Sequence, residues 1–103
     1  MRFRRRFADV IDRQLDLFEE EYSDFLRDCA EAERAYDRAD RDEAEERYSA
    51  YSDLVETGTE ILADLRDTYA RPLEEDVAEE YEAEFNRAVA KRLPRFALEI
   101  ENP

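Results

Sequence analysis

The side chains of this sequence with the clearest chemical potential are the arginines at its start. The chain begins MRFRRRF, so four of its first six residues are arginine. A guanidinium group can bind a carboxylate or a phosphate through two parallel hydrogen bonds, so the cluster suits an acidic protein surface or a nucleic-acid backbone. The formal net charge is −14, which makes carboxylates the nearer partner. We expect Arg4, Arg5 and Arg6 to form a clamp with the chain's own acids, and nucleic-acid binding is the alternative.

The acidic side chains could hold a divalent cation, since Mg²⁺ and Ca²⁺ prefer carboxylate oxygens. The densest group contains Glu19, Glu20, Glu21 and Asp24. Adjacent positions on a helix point in different directions, so we expect these side chains to form a solvated face and no metal site.

The chain lacks most of the residue types that catalysis and cofactor binding need. The chain has no histidine, one cysteine and one glycine. This removes the usual zinc sites, the Ser-His-Asp set and the glycine-rich phosphate loop. Cys29 lies among apolar positions and is expected to be a small buried residue rather than a reactive thiol. We therefore predict a protein that is not an enzyme and has no cofactor, with an enzyme built on a carboxylate-lined cleft as the weaker alternative.

The elements that position these residues are helices, because apolar residues recur every three or four positions. The first stripe contains Leu15, Phe18, Tyr22, Phe25, Cys29, Ala32, Tyr36 and Ala39. A second stripe, about 100° around the same helix, contains Phe3, Phe7, Val10 and Leu17, with Gln14 as its polar gap. The pattern predicts one helix over about residues 4–39 whose N-terminal half needs two neighbours.

A second helix is predicted over about residues 42–70. The stretch RADRDEAEE has no apolar periodicity, and it offers Asp40 or Asp42 as an N-cap with Glu43 or Glu45 as the capping-box partner. The stripe then resumes with Tyr48, Tyr51, Val55, Gly58, Leu62, Leu65 and Tyr69. Gly58 falls on the stripe rather than at a helix end, which predicts the close approach of a facing side chain.

A shorter third helix is predicted over about residues 73–93. Pro72 suits the first turn of a helix, and Pro94 ends one. The acids at its start, Glu74, Glu75 and Asp76, favour the positive end of the helix dipole. They are also the carboxylates that we expect the N-terminal arginines to bind.

The C-terminal tail, residues 94–103, is predicted to be a non-helical docking segment. It alternates Phe96, Leu98 and Ile100 with polar residues, and no other part of the chain offers a strand to pair with it. The predicted fold is therefore all-α. It is a single domain in which a long antiparallel helical hairpin and a shorter third helix form a three-helix bundle.

The charged residues have an unusual composition. Lys91 is the only lysine among sixteen cationic residues, against thirty acids. This composition resembles that of proteins from halophilic archaea, and the chain as a whole resembles their small acidic helical proteins. The resemblance implies adaptation to molar salt, where like-charge repulsion is screened within about 3 Å. An ordinary acidic protein from a GC-rich genome is the alternative.

The hydrophobic segments are short. No apolar run approaches about 18 residues, and no signal-peptide segment is recognisable. We therefore expect a cytoplasmic protein without membrane association.

A chain of 103 residues has a small core, so association with another chain would stabilise it. The third helix, about 32 Å, is shorter than the first two, about 45–52 Å, which leaves one end of the hairpin uncovered. The tail of the same chain or a second subunit could cover that end. We expect a homodimer, or a complex with another protein, that acts as an interaction or regulatory module. The expected contact residues are Phe3, Arg4, Arg5, Arg6, Phe7, Val10, Leu17, Phe96, Leu98 and Ile100.

The charge predicts that the fold depends on salt. Residues 14–103 carry 28 acids and 11 cations, so self-repulsion should loosen the core below about 0.1 M salt, where the Debye length exceeds about 10 Å. Raising KCl from about 20 mM to about 2 M should increase the helical circular dichroism signal and the Tm. A Tm that is unchanged across this range would show that repulsion does not limit the fold.

Overall fold

The computed structural model describes residues 6–97 and residue 100, nearly all of them in helices. The α-helices are α1 (Ala8–Glu21), α2 (Ser23–Asp37), α3 (Arg41–Ala70) and α4 (Glu75–Arg92). A 3-10 turn follows at Pro94–Phe96. None of the described residues lies in a β-strand. The predicted all-α class is confirmed, and the predicted count of three helices is wrong by one.

The helices form an elongated bundle that is 54 Å long and 26 by 25 Å across. The helices α2 and α3 pack together as the long hairpin, and α4 returns along the C-terminal half of α3. The first helix, α1, packs against α4. Two helices, α1 and α2, therefore stand where the sequence predicted one helix.

The predicted first helix, residues 4–39, is interrupted at Tyr22. The backbone of Tyr22 leaves helical values, with φ −109° and ψ 29°. Its N–H still donates to the Phe18 carbonyl, and its carbonyl accepts from the Leu26 N–H, each at 2.9 Å. The helix axis is broken by one residue, and the chain does not reverse.

The local sequence around Tyr22 favours such a break. The last turn of α1 ends in three consecutive acids, residues 19–21, and contains no cation of its own. Acids at the negative end of the helix dipole destabilise that end. Ser23 and Asp24 follow, and both residue types favour the start of a new helix.

The break allows the two halves of this segment to pack on different partners. No Cα atom of α1 lies within 8 Å of a Cα atom of α3, whereas α2 lies closely along α3. From Phe25 onward the first apolar stripe thus serves the α2–α3 hairpin, whereas its earlier members, Leu15 and Phe18, lie on α1, which packs against α4. The two stripes predicted two neighbouring helices, and both are present as α3 and α4. The segment contacts them with two separate helices, α1 and α2, rather than with one straight helix.

The two predicted turns lie where the sequence placed them. The third helix, α3, begins after Asp40, whose backbone is extended at φ −70° and ψ 163°. No side chain caps this helix start, so the predicted capping box is not formed. The same helix ends at Ala70, just before Arg71 and Pro72. The last helix, α4, has acids in its first turn and cations in its last, as the dipole argument predicted.

The core draws on all four helices and on the C-terminal turn. Its fully enclosed side chains are Leu15, Cys29, Leu62, Tyr81, Phe85, Val89 and Phe96. Around Tyr81 the ring centroids of Phe7, Tyr69 and Phe85 lie at 5.3, 4.6 and 5.9 Å. Ring pairs at these distances stabilise a core beyond the area they bury, so this aromatic group joins α1, α3 and α4.

The 3-10 turn at Pro94–Phe96 ties the C-terminal segment to the hairpin. The Arg95 Nη2 atom donates to Glu33 Oε1 on α2 at 2.6 Å, and its Nε donates to the Tyr51 hydroxyl on α3 at 3.2 Å. The tail, predicted to be non-helical, therefore begins with one short helical turn. Phe96 and Ile100 are both buried within their own chain.

The ring of Phe96 explains the single glycine of the chain. A Cβ atom on Gly58 would lie 2.8 Å from Phe96 Cζ, closer still to Phe96 Cε1, and 3.1 Å from Phe25 Cε2. The predicted close approach of a side chain at Gly58 is confirmed. Because the glycine in the middle of α3 has no side chain, the C-terminal turn can pack closely against the α2–α3 hairpin.

Gly58→Ala is expected to lower the stability of the fold, although alanine favours a helix over glycine by about 1 kcal/mol. The added methyl group would displace the enclosed Phe96 ring, and overpacking of this kind costs about 1–3 kcal/mol. Thermal unfolding followed by circular dichroism should show a lower Tm. In a Phe96→Ala background the same substitution should be neutral or stabilising, and an equal loss of stability there would contradict this explanation.

Candidate functional site

The separation of α1 from α3 leaves an open groove between them, which we call the α1–α3 groove. Its volume is about 890 Å³. The residues that line it are Gln14, Leu17, Phe18, Glu21, Tyr22, Ile61, Asp64, Leu65, Thr68, Tyr69, Pro72 and Leu73. The groove ends at the interruption of the first helix, since Tyr22 is itself one of its lining residues.

The lining is apolar inside and polar at its edges. Phe18 is buried at the base, and Ile61, Leu65 and Tyr69 are half-buried on the α3 side. Leu17 is 50% exposed on the α1 side, one of the few large apolar side chains open to solvent in the described part of the chain. Water in this groove faces mostly apolar surface, so covering the groove would be favourable.

The two edges of the groove carry one carboxylate each. Glu21 stands on α1 and Asp64 on α3, and both are exposed. Within the described residues neither side chain forms an ion pair or a hydrogen bond. The edge charge of the groove is therefore negative and uncompensated.

Arg92, at the C-terminal end of α4, fixes α1 on its side of the groove. Its Nε and Nη2 atoms donate to the two carboxylate oxygens of Glu19, each at 3.2 Å, and Nη2 also bonds Asp16. The Asp12 carbonyl accepts from Nη1 at 3.4 Å. The hydrogen bonds with Glu19 and Asp16 raise the pKa of Arg92. A two-pronged contact of this kind orients α1 as well as attaching it to α4.

Two polar contacts hold the other end of α1 against α4. The Phe7 N–H, at the start of α1, donates to Glu84 Oε1 at 3.2 Å, and Glu84 is buried. A carboxylate at this end of a helix interacts favourably with the dipole, so Glu84 replaces the side-chain cap that α1 lacks. The Tyr81 hydroxyl donates to Gln14 Oε1 at 2.9 Å. The polar gap in the second stripe is thus matched by a polar partner on α4.

The predicted contact residues occupy different places. Phe7, Phe96 and Ile100 are buried in the chain's own core, and Val10 is half-buried against it. Among the members of this set that the structure describes, only Leu17 combines an apolar side chain with high exposure, and it lies on the groove. Four further predicted residues fall outside the described part of the chain: Phe3, Arg4, Arg5 and Leu98.

Arg6 tests one part of the predicted clamp. Its Nη1 atom lies 3.5 Å from Glu80 Oε1, and both side chains are about half exposed. The partner is a carboxylate of α4, but it is not one of the predicted Glu74, Glu75 and Asp76. An exposed pair of this kind contributes only about 0–1 kcal/mol, so it orients the start of the chain more than it stabilises the fold.

The opposite wall of the groove is missing from the predicted contact residues. Leu65 belongs to the predicted stripe of the second helix, which predicts that it faces inward, whereas Ile61 and Leu73 are not part of that stripe. The sequence contains no signal that α1 and α3 stay apart at this level. The one local indication is the acidic run at residues 19–21, which disfavours a continuous helix through this point.

Two other groups in the described part of the chain have possible chemistry, Cys29 and a cluster of acids at the start of α4. Cys29 is enclosed, and burial raises the pKa of its thiol, which makes it a packing residue as predicted. The carboxylates of Glu74, Glu75, Asp76 and Glu79 line a second, shallow depression of about 380 Å³. Among the described residues no group of three or more potential metal ligands converges on one point.

Comparisons with known proteins add nothing to the geometry of the site. No protein-family model, curated protein sequence or solved structure matches the chain. Within the described residues, no helix has the length and apolar composition needed to cross a membrane. The α1–α3 groove is thus the feature from which a function can be argued.

Tyr81, which helps to hold α1 on α4, should make stability depend on pH. Burial raises the pKa of Tyr81 from 10.0 to about 12. The folded chain therefore retains a phenol proton that the unfolded chain releases, so the free energy of unfolding should fall as pH rises from 10.0 to about 12. Urea unfolding at several pH values in this window would measure the decline.

The matched variants for this test are Tyr81→Phe and Tyr48→Phe. Tyr81→Phe should flatten the decline because the titrating group is gone. Tyr48→Phe alters a ring that is 52% exposed and should leave the decline in place. A decline of equal size in wild type and Tyr81→Phe would contradict the role assigned to Tyr81.

Proposed function

We propose that this protein is a non-enzymatic helical interaction module that pairs with a second copy of itself through the α1–α3 groove. The observation that carries the proposal is that a cavity and an exposed apolar side chain share one patch. Leu17 lines the groove and is 50% exposed to solvent.

This arrangement suits a two-fold contact. In such a contact the same patch meets itself, so a projection and a matching cavity must both belong to that patch. Leu17 of each copy can enter the groove of the other, and the half-buried residues Ile61 and Leu65 can receive it. Leu17 is 50% exposed, so covering it contributes about half of the roughly 1.5–3 kcal/mol of a full leucine burial, and the contact is made twice.

The surface of the chain is large for its mass. It exposes 7480 Å², whereas a compact monomer of 12.3 kDa exposes about 6,100 Å². A stable dimer buries about 800 Å² of each partner, which would remove more than half of this excess.

The edge carboxylates make the proposed pairing dependent on salt. A two-fold contact across the groove brings together Glu21 and Asp64 from each copy, four like charges around one apolar patch. Their repulsion opposes association at low ionic strength and is screened in molar salt. The pairing therefore agrees with the salt adaptation that the composition implies.

Light scattering at about 50 μM protein should give twice the chain mass in about 2 M KCl and a lower mass in about 0.1 M KCl. Leu17→Gln should yield a folded monomer in both, because it removes the apolar side chain from an exposed position. Tyr48→Gln is the matched control, since Tyr48 is equally exposed at a distant point on α3, and it should remain dimeric.

Two results would reject the proposed pairing. One is a monomer for the wild type at this concentration in 2 M KCl. The other is a dimer that Leu17→Gln leaves as stable as before, which would place the contact elsewhere.

A further inference from the structure

The charge on the edges of the α1–α3 groove points to a second kind of partner. We infer that the groove also docks a cationic amphipathic helix of another protein, which competes with the second copy. This inference rests on the proposed function in one respect, that the groove is the docking surface. It does not require the chain to pair with itself.

The size and shape of the groove fit a short helix. The lining residues extend from Gln14 to Tyr22 on α1 and from Ile61 to Leu73 across α3 and the following turn. At 1.5 Å per residue the α1 stretch is about 12 Å long and the part of the other wall that belongs to α3, residues 61–70, is about 14 Å long. That length accommodates between two and three helical turns, about two and a half at 5.4 Å per turn, and a docked helix would lie between α1 and α3.

The distribution of charge selects a partner with cations on both sides of its apolar face. One edge of the groove presents Glu21 and the other presents Asp64, and neither has a partner within the described residues. A helix seated between them places the residues that flank its apolar face next to these carboxylates. Lysine or arginine at the flanks would be attracted, and glutamate or aspartate would be repelled.

A cationic helix has an advantage over a second copy. Self-pairing adds two carboxylates to the two already present, whereas a cationic helix adds opposite charges and the same kind of apolar surface. Lowering the salt concentration therefore weakens the homodimer and strengthens the complex with a cationic helix. These opposite salt dependences allow the two occupants to be distinguished by experiment.

The test uses the full chain and two synthetic peptides of about 14 residues, long enough to cover the part of the groove that a helix can occupy. Both peptides carry the same leucine face at helical spacing, with lysine flanking it in one and glutamate in the other. Fluorescence anisotropy measures the affinity of each labelled peptide in about 0.15 M and about 2 M KCl. The lysine peptide should bind at least about tenfold more tightly than the glutamate peptide at the lower salt, and the difference should shrink at the higher salt.

Paired variants locate the binding. Glu21→Gln with Asp64→Asn should weaken the lysine peptide at least about fivefold in 0.15 M KCl. Glu45→Gln with Glu46→Gln is the matched control, because it removes the same charge from exposed positions near the start of α3 and should change affinity less than about twofold. Leu17→Gln should weaken the lysine peptide in both salts, since it removes apolar contact.

Three outcomes would overturn the inference. Equal binding of the two peptides would show that the edges do not select charge. An equal loss in the two pairs of variants would show general attraction to an acidic protein. Binding that is insensitive to Leu17→Gln would place the peptide outside the groove. The mass of the chain without peptide is measured separately. A monomer in that measurement would reject self-pairing but not the docking of a cationic helix, which the peptide experiment tests on its own.

Discussion

The packing of α1 against α4, and not against α3, is the constraint on which the rest of the structure depends. Phe7, Ile11, Leu15 and Phe18 bury one face of α1 in the core, and each such burial stabilises the fold by about 1.5–3 kcal/mol. Arg92 and Glu84 then fix the two ends of α1 through its acids and its first amide. Because α1 is committed to α4, the chain must break at Tyr22 to let α2 follow α3, and the groove between α1 and α3 stays open.

The charge of the chain acts on this arrangement in two ways. Within the fold, arginines such as Arg92 and Arg95 hold elements together through short-range contacts with acids, and these contacts resist screening better than exposed pairs do. Across the surface the remaining acids repel one another, including Glu21 and Asp64 at the edges of the groove. Salt screens the repulsion between surface acids more than it weakens the arginine contacts within the fold. A high salt concentration therefore favours both the folded chain and its proposed pairing.

Local sequence features are enough to predict the fold class and the turns at Asp40 and Pro72, because these depend on nearby residues. The position of Gly58 on the apolar stripe also predicts a close approach, but the spacing does not identify Phe96, a distant residue, as the side chain that makes it. The break at Tyr22 is missed because Phe18, Tyr22 and Phe25 continue the apolar spacing through it. The acidic run at 19–21 is a weak local signal compared with that spacing. The packing of α1 on α4, which the sequence does not reveal, determines that the helix breaks there. For the groove, Leu17 was predicted as a contact residue, whereas the opposite wall at Ile61 and Leu65 was not. A pattern shows which residues are apolar, but it does not show which helices remain apart.

The most direct test of the account is methyl NMR of the protein in about 2 M KCl over a range of protein concentrations, since association moves the signals of the groups it covers. The account predicts concentration-dependent shifts for Leu17, Ile61 and Leu65, which line the groove. The methyl signals of Leu62 and Val89, enclosed in the core, should stay in place. Spectra that do not change with concentration, or shifts confined to the α2 end of the bundle near Leu26 and Val55, would contradict the claim that the groove is the pairing surface.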